Sequence, residues 1–436
     1  MKKKFNVLNA AITWLVWFVM LPAPIRGQGN TWAGASLARV MESAQWRVGS
    51  FRVNASLTLA NMGYDTDIYY GYLEEAFPDF TFSAAVPVQV FLPLGKKFVL
   101  EAFDSPQYLF YLDNEKERAW NNVFRGQVHF ALDRIYIQAG GEVSNVRQRL
   151  SPELNVNIGE RKDGLHGAML WQLSDEISMA FLSEDARYDY GDAEYAGENL
   201  SQSLNRRENY FDAVAYLQPN PRIRFFLNGQ YGTYTFKHDV SNIRDTWSYG
   251  IFGGLAFVPR ETEAGHIDSP QGSITLGFKL FDLIDPLAID GSDFVGTVNV
   301  STGILKRTML RAFLSRDFSF SAYSGMTYYV STTYGGGIIR RLSRRATLSY
   351  DLSYSRSAYP ETGGGPSLDH NYRYTLHNVS LNIRLAHNLE IMFFGMFGRR
   401  AQEAAALIRN RDFFGINLVY GIATSSVAAP ARGLSL

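Results

Sequence analysis

The sequence predicts an all-β fold, a transmembrane antiparallel up-and-down β-barrel of about eighteen strands, with sixteen as the second choice. Three observations predict it: strand-length segments in which every second residue is apolar, tight polar turns that alternate with longer polar connections, and an apolar N-terminal stretch typical of exported proteins. In a bilayer each backbone N–H or C=O group without a hydrogen-bond partner costs free energy. The only sheet that can span a bilayer is therefore a closed one.

The alternation begins near Phe51 and continues to about residue 422. Within residues 346–355, for example, apolar residues occupy every even position, and Thr, Ser and Asp occupy the odd ones. Successive side chains of a strand point to opposite faces, so such a segment has one apolar and one polar face. Residues 153–173 change parity between Ile158 and Leu165. A bulge there could hide a break, which is why sixteen strands remains the second choice.

Composition indicates one membrane domain built from strands. The chain is 46% hydrophobic and 14% aromatic, yet its mean hydropathy is only −0.14. These values exclude a bundle of apolar transmembrane helices and fit a barrel with a polar lumen and aromatic girdles. A soluble β-sandwich or propeller also alternates. The strand length, the alternating turn and loop lengths, and the lack of strands that are apolar on both faces favour the barrel.

The N-terminus has the three parts of a secretory signal peptide. Lys2–Lys4 precede an apolar core at about residues 12–21, and small residues follow at Gly27–Gly29. The core is too short to cross about 30 Å of hydrocarbon as a helix. We therefore predict a cleavable signal peptide over residues 1–29 and export to the outer membrane of a Gram-negative bacterium.

Four segments follow from these boundaries. Residues 1–29 are the signal peptide, and residues 30–48 form an N-terminal segment that lies in the periplasm or in the lumen. Residues 49–422 form the barrel, and residues 423–436 form a C-terminal tail.

Charge and residue usage exclude several functions. Removal of residues 1–29 leaves 38 basic and 42 acidic residues, a formal charge of −4 that gives no reason to expect nucleic acid as a partner. There is no Cys, and the seven His show no metal-ligand spacing, so we expect neither a metal nor another cofactor. A hydrolase would need Ser and His on one face, but His377 and Ser380 fall on opposite faces of one strand. We expect no enzyme.

Where the parity is clear, the polar face is expected to line an aqueous lumen. An eighteen-strand barrel is wide enough for a channel, and its charged side chains set ion selectivity. Arginines beside amides suit polar and partly anionic solutes. Alternatively, these charges only pair with Asp and Glu. The expected pore-lining residues are Arg125, Gln127, Arg134, Gln138, Glu142, Arg222, Arg224, Asn228, Gln230, Asp351, Asn382 and Arg384.

Over most of residues 48–422 the chain resembles a family of outer-membrane β-barrel porins found with bacterial exopolysaccharide and exosortase systems. The segments that carry the resemblance are Gly63–Asp67, Pro93–Lys96, Asn205–Glu208, Tyr329–Thr332 and Leu342–Arg345. The sequence departs from the family in two places. Asp stands at position 67, where Asn is expected, and the chain continues past its last strand through Ala423–Leu436, where a terminal aromatic residue is expected.

The resemblance implies an outer-membrane conduit for secreted polysaccharide and transfers no functional residues. The expected partners are outer-membrane lipid, a hydrophilic solute or polysaccharide, and periplasmic components that deliver the polymer. Two other functions remain open: a general or sugar-uptake porin, and a structural or adhesive barrel whose long loops bind at the cell surface.

Overall fold

The protein is described from a computed structural model that covers residues 37–38, 41–42, 44–69, 76–149, 154, 156–195, 198–238, 244–257, 270–284, 290–322, 327–360, 371–402 and 408–421. The expected signal peptide and the C-terminal tail lie outside these residues, as does most of segment 30–48 before Ala44.

Eighteen strands form one closed antiparallel barrel, in which each strand pairs with its neighbours in sequence. The last strand, β18, pairs with β1 from Ser56–Gly421 to Asp65–Phe413 and so closes the sheet. The predicted fold class and the first-choice strand number are therefore confirmed. The strands are β1 Phe51–Asp65, β2 Asp79–Ala85 with Val88–Leu94, β3 Phe98–Asp104 with Gln107–Tyr111, β4 Ala119–Ala131, β5 Ile135–Gln148, β6 Ile158–Gln172, β7 Ile177–Tyr190, β8 Arg206–Asn220, β9 Ile223–Phe236, β10 Thr246–Phe257, β11 Gln271–Leu283, β12 Gly291–Leu305, β13 Thr308–Phe320, β14 Tyr328–Arg341, β15 Ala346–Ala358, β16 Tyr372–Ala386, β17 Leu389–Gln402 and β18 Ile408–Gly421.

Two of these strands are each interrupted at a proline. Pro87 lies in the gap of β2 and Pro106 in the gap of β3, on neighbouring strands. Proline has no N–H to give to the ladder, and the backbone bridges the gap through Val86 N, which donates to Pro106 O at 3.1 Å. A short strand at Trp46–Val48 turns at Gly49 and pairs with the start of β1.

The two ends of the barrel differ in their connections. At the end we call the short-turn end, seven turns have two to four residues each, and β1 begins and β18 ends there. Gly95, in the first of these turns, has φ +75°, a conformation that glycine adopts without strain. The opposite end, which we call the loop end, carries the longer connections. In barrels of this kind the short turns face the periplasm and the loops face outward.

The loop between β7 and β8 has structure of its own. It contains the short helix α1, Leu200–Leu204, whose first turn is capped by the Asn199 side chain. A hydrogen bond from the Ser201 hydroxyl holds the pKa of Asp192 below its usual range, and a second one from the Asn199 amide adds a smaller effect in the same direction. These contacts hold the helix at the loop end, beside the mouth of the barrel.

The outward face of the strands is apolar, as the alternation predicts. Leu165, Leu227 and Ile251 are 67%, 58% and 69% exposed although they lie in the middle of strands. Trp120 and Trp247, nearer the loop end, are exposed on the same face. Such side chains are stable there only in contact with lipid. Among the described residues no helix has the length and apolarity needed to cross a membrane.

β6 explains the parity change within residues 153–173. Its pairing with β5 and with β7 has no register shift, so there is no bulge. Leu165 faces outward, whereas Ile158 is 2% exposed and packs on the inside against Leu154 and Leu204. Two apolar residues of opposite parity thus lie on opposite faces of one regular strand.

Candidate functional site

A cavity of about 710 Å³ occupies the lumen of the barrel. Its lining residues come from ten consecutive strands, β4 to β13, from Arg125 to Asp317. A cavity that touches ten neighbouring strands of a closed sheet must lie on the concave side. It therefore identifies the inward face of each of these strands, and this face is the polar one.

Four charged side chains form a chain along β4 to β7. Arg125 Nη2 lies 2.7 Å from Glu142 Oε2, and Lys162 Nζ lies 3.4 Å from Glu142 Oε1 and 3.0 Å from Glu184 Oε1. The charges alternate from strand to strand, so the row has no net charge. Each carboxylate has a cationic neighbour within ion-pair distance.

The opposite wall has paired charges as well. Lys279 of β11 contacts Asp317 of β13 at 3.0 Å, and Arg316 contacts Asp293 at 2.5 Å. Amides and hydroxyls lie between the charged pairs. Asn228 and Gln230 both donate to Asp212 Oδ1, at 3.3 and 3.0 Å.

Two polar atoms of the cavity-lining residues have no partner among the described residues. They are Asn228 Oδ1 and His166 Nε2. Buried polar atoms are normally hydrogen-bonded, so the lining retains hydrogen-bonding capacity for a polar solute. No cluster of His, Asp and Glu in the described part of the chain could hold a metal ion.

A second cavity of about 430 Å³ lies toward the loop end and is more aromatic. The two cavities share four lining residues, Tyr188, Tyr210, Lys279 and Asp317, and so adjoin each other along the lumen. The aromatic side chains of the second cavity form a packed cluster, in which the rings of Phe281 and Phe318 are stacked with their centroids 5.2 Å apart. The lumen therefore has a polar cavity followed by a more aromatic one toward the loop end.

One buried ion pair stands in this second cavity. Arg206 Nε donates to Glu208 Oε1 at 2.7 Å, and the Glu208 side chain is 1% exposed. The guanidinium of Arg206 also lies 5.0 Å from the ring of Tyr188 and 5.2 Å from that of Phe320. The guanidinium charge is therefore both paired with a carboxylate and covered by aromatic rings at the wall of the second cavity.

Loops fold inward over the loop end of the lumen. Arg244, in the connection between β9 and β10, donates to Ser203 O of helix α1 and to Ser321 O beyond β13, both at 2.5 Å. Leu204 and Ala322 belong to one buried apolar cluster. Connections from distant strands thus meet above the second cavity and narrow its mouth.

An apolar cluster lines the short-turn end. Leu37, from the segment that precedes β1, is 2% exposed and packs in it with residues of seven strands, β2, β3 and β5 to β9. Beside the cluster a fully buried His129 contacts Glu101 at 2.8 Å and Tyr136 at 2.7 Å. The N-terminal segment therefore touches the inner wall at Leu37, which narrows the lumen at this end.

The structure places the expected pore-lining residues in three settings. Gln127 and Gln138 hydrogen-bond each other at 2.8 Å on the inward face. Others on that face have partners of their own: Arg125 with Glu142, Asn228 and Gln230 with Asp212, Asp351 with Arg311, and Asn382 with Glu390.

The remaining arginines of that set lie near the short turns. Arg224 of β9 donates to Gln218 and lies 5.6 Å from the ring of Tyr216. Arg134 and Arg222 are in turns rather than strands, and Arg134 donates to Leu173 O of the next turn at 3.1 Å. Arg384 is exposed two residues before the end of β16.

Sequence reasoning missed several lining residues. Lys162 and Glu184 complete the charged row, and Lys279 and Asp317 form the facing pair. The alternation of β7 alone would have placed Glu184 on the polar face of the strand, away from the face that holds Met179 and Phe181. Lys162 was hidden because Ile158 and Leu165 gave β6 an ambiguous parity.

Several solved structures are similar to the chain at low sequence identity. The chain is similar to OccK3 (OpdO) of Pseudomonas aeruginosa, with 11% identity, 85% of this chain and 95% of that chain covered, and a TM-score of 0.47. It is similar to OccAB4 of Acinetobacter baumannii at 12% identity, with 85% and 98% covered and a TM-score of 0.46. No curated protein sequence matches it. A family model described as Putative beta-barrel porin 2 matches residues 166–391, just over half of the chain. The chain belongs to this family of β-barrel porins.

Proposed function

We propose that this outer-membrane porin is an aqueous conduit for hydroxyl-rich solutes with little charge, and that its physiological solute is an exopolysaccharide leaving the cell. The observation that carries the proposal is the balance of charge around the 710 Å³ cavity. Four basic and four acidic residues line it: Arg125, Lys162, Lys279 and Arg316, and Glu142, Glu184, Asp212 and Asp317.

Such a wall suits a neutral polyol better than an ion. Paired charges leave little net field to attract ions of one sign. Sugar hydroxyls both donate and accept hydrogen bonds, and Asn228, Gln230, Thr275 and Asn299 offer both kinds of group. The rings of the second cavity give the apolar faces of sugar rings a surface to contact.

The direction of transport and the periplasmic partners come from the resemblance noted in the sequence. That resemblance implies a role in polysaccharide export, in which periplasmic components deliver the polymer to the short-turn end. Genes for a polymerase, a flippase and a co-polymerase beside the coding gene would favour export. Sugar-catabolism genes in that position would favour uptake.

Deletion of the gene tests the proposal directly. We expect polysaccharide in the medium and on the cell surface to fall, and to return when the intact gene is supplied. The matched control restores the gene with Leu227→Ala, a change on the lipid-facing wall. Unchanged polymer in the deletion strain would contradict export.

The packing at both ends favours a second candidate, a structural or adhesive barrel. Leu37 narrows the short-turn end, and Arg244 joins loops over the other end. Liposome swelling distinguishes the two functions. A conduit admits tri- and tetrasaccharides into liposomes that contain the purified barrel, whereas a structural barrel leaves them excluded.

A further inference from the structure

The ladder between β12 and β13 ends before either strand does. Their pairing stops at Gly296–Arg316, although β12 continues to Gly291 and β13 to Phe320. On their other sides both strands stay paired to these ends, β12 with β11 and β13 with β14. All of these residues are described, so the barrel wall has a break between β12 and β13 at the loop end.

Side chains bond the backbone groups beside this break. Phe294 and Phe318 would lie opposite each other if the ladder continued in the same register. Instead Phe294 N donates to Asp293 Oδ1 at 2.7 Å, and Phe294 O accepts from Arg316 Nε at 3.0 Å. Phe318 N donates to Asp317 Oδ1 at 2.8 Å. Because backbone groups away from water need partners, these bonds stabilise the two strands apart.

Beyond the break, the ends of β13 and β14 lean into the lumen. We call them the hairpin end: residues 317–320 and 328–330. Gly291 of β12 has the inward parity of Val295, which lines the first cavity. A Cβ at Gly291 would lie 2.7 Å from the ring of Phe318 and 2.9 Å from that of Tyr328. These two rings therefore cover the inner side of β12, where Phe318 also stacks on Phe281.

The alternation of the same two strands predicts the opposite facing. Phe318 has the parity of Leu310, which is 37% exposed on the outer wall, and Tyr328 has the parity of Tyr334, which is 48% exposed. The pairing of β13 with β14 has no register shift between these positions. A straight hairpin would therefore place both rings on the lipid-facing side, where aromatic residues form girdles. The hairpin end thus has two positions that suit its aromatic side chains.

We propose that the hairpin end is a gate at the loop end of the lumen and that it is closed in this structure. In the open position it swings outward and completes the ladder with β12, which places Phe318 beside Phe294 on the lipid-facing side. Both positions give the backbone groups partners, as a membrane requires, and a segment with two such arrangements can switch between them. The inference rests on the proposed conduit but not on the identity of the solute.

Two polar contacts hold the gate closed. At its base Arg316 Nη2 contacts Asp293 Oδ2 at 2.5 Å. At its tip Ser321 O accepts from Arg244 Nη2 at 2.5 Å. Arg316 is the better residue to change, because it bonds both Asp293 and the backbone of Phe294, and these bonds must break before the ladder can close.

Disulfide trapping tests the gate, because the chain has no Cys of its own. The variant F294C/F318C places two thiols within reach of each other only in the open position. In the closed position Phe294 is 54% exposed on the outer wall, whereas Phe318 covers the inner side. The matched control is F278C/F294C, whose positions are directly opposite each other in the unbroken ladder of β11 and β12. Both variants are oxidised in liposomes with copper phenanthroline, and heat-modifiable mobility reports whether each barrel is folded.

We expect both pairs to cross-link and only F294C/F318C to change the channel. Its single-channel conductance should rise about twofold or more on oxidation and return on reduction, since the mouth of the lumen widens. The conductance of the control should stay the same. Adding Arg316→Gln should speed the cross-linking of F294C/F318C severalfold. Adding Arg207→Gln should not, because it breaks an exposed pair with Asp185 between two fully paired strands.

Three outcomes overturn the proposal. The first is a folded F294C/F318C barrel that does not cross-link while the control does, and the second is a cross-link that leaves conductance unchanged. The third is equal cross-linking with and without Arg316→Gln. If that change prevents folding, Gly291→Leu replaces it, since a larger side chain there would clash with Phe318 in the closed position and should also speed cross-linking.

Failure of the gate differs from failure of the conduit. If only the gate is wrong, tri- and tetrasaccharides enter liposomes equally before and after oxidation of F294C/F318C. If the conduit is wrong, the sugars stay excluded in both states even where the cross-link forms, which overturns the gate as well. Entry that is faster after oxidation supports both.

Discussion

Asp65 of β1 and Arg411 of β18 form an ion pair across the strands that close the barrel. Arg411 Nε lies 2.9 and 3.1 Å from the two carboxylate oxygens, although 346 residues separate the two side chains in sequence. Next to them, Thr66 N donates to Asp412 O at 3.0 Å, and Asp412 N donates to Thr66 Oγ1 at 2.8 Å. The motif Gly63–Asp67 therefore forms part of the closure between the first and last strands.

Asp65→Asn should weaken this closure. The Asp65 side chain is 4% exposed and that of Arg411 is 28% exposed, so the change removes the carboxylate that a largely buried guanidinium contacts directly. We expect a loss of about 3 kcal/mol in the free energy of unfolding. Urea unfolding from lipid vesicles, followed by tryptophan fluorescence, measures it.

Asp185→Asn is the control for that measurement. It breaks the ion pair between Asp185 and Arg207, in which the Arg207 side chain is 60% exposed and the Asp185 side chain is 38% exposed. An exposed pair contributes about 0–1 kcal/mol. Equal losses in the two variants would mean that Asp65 and Arg411 act as an ordinary surface pair.

Gly63→Ala should prevent correct pairing of β1 with β18. A Cβ at position 63 would lie 1.9 Å from the backbone oxygen of Phe414, and backbone cannot move aside cheaply. Gly126→Ala is the matched control, because a Cβ there meets nothing within 4 Å. The yield of heat-modifiable, folded barrel after refolding checks the prediction. A normal yield for Gly63→Ala would contradict it.

Glu142→Gln should raise the anion preference of the channel. It removes the carboxylate that Arg125 and Lys162 share and leaves the charged row with a net positive charge. Arg125→Gln should shift the preference toward cations. Both effects should be severalfold in about 10 mM salt and fade near 1 M, where the Debye length falls from about 30 Å to about 3 Å. Reversal potentials across a salt gradient measure them, and shifts of the same sign in both variants would exclude a lumenal field effect.

Arg224→Ser tests the facing of β9. With its guanidinium on the inward face beside Tyr216, the change should lower anion preference at low salt and leave the stability of the barrel unimproved. An arginine on the lipid face near mid-membrane would instead cost about 2–4 kcal/mol, so its removal would stabilise the barrel. Conductance and urea unfolding of the same preparation distinguish the two placements.

Leu37→Asp should widen the short-turn end of the lumen. Leu37 is 2% exposed among apolar residues, and a carboxylate there would be buried without a partner. We expect the segment to leave the wall and the single-channel conductance to rise. Leu227→Ala, on the lipid-facing surface, should leave conductance unchanged. If Leu37→Asp leaves it unchanged too, the segment does not limit the lumen.

The sequence by itself determined the fold class, and it predicted about eighteen strands, the facing of most strand residues and the family. These follow from local physics, since a strand alternates its faces every residue and short turns need particular residues. Leu348, Tyr350 and Leu352 face outward as their parity predicts, with 38–40% exposure. Even Ile158 obeys the alternation, once its inward neighbours are known.

Only the tertiary structure decided which distant groups meet. Nothing local to Asp65 indicates Arg411, and nothing near Arg125 shows that Glu142 and Lys162 make its surroundings neutral. Arg244 meets Ser203 and Ser321 only because loops from separate strands fold over one opening. Closure of the sheet brings residues together across hundreds of positions, and a pattern with a period of two residues holds no information about such contacts.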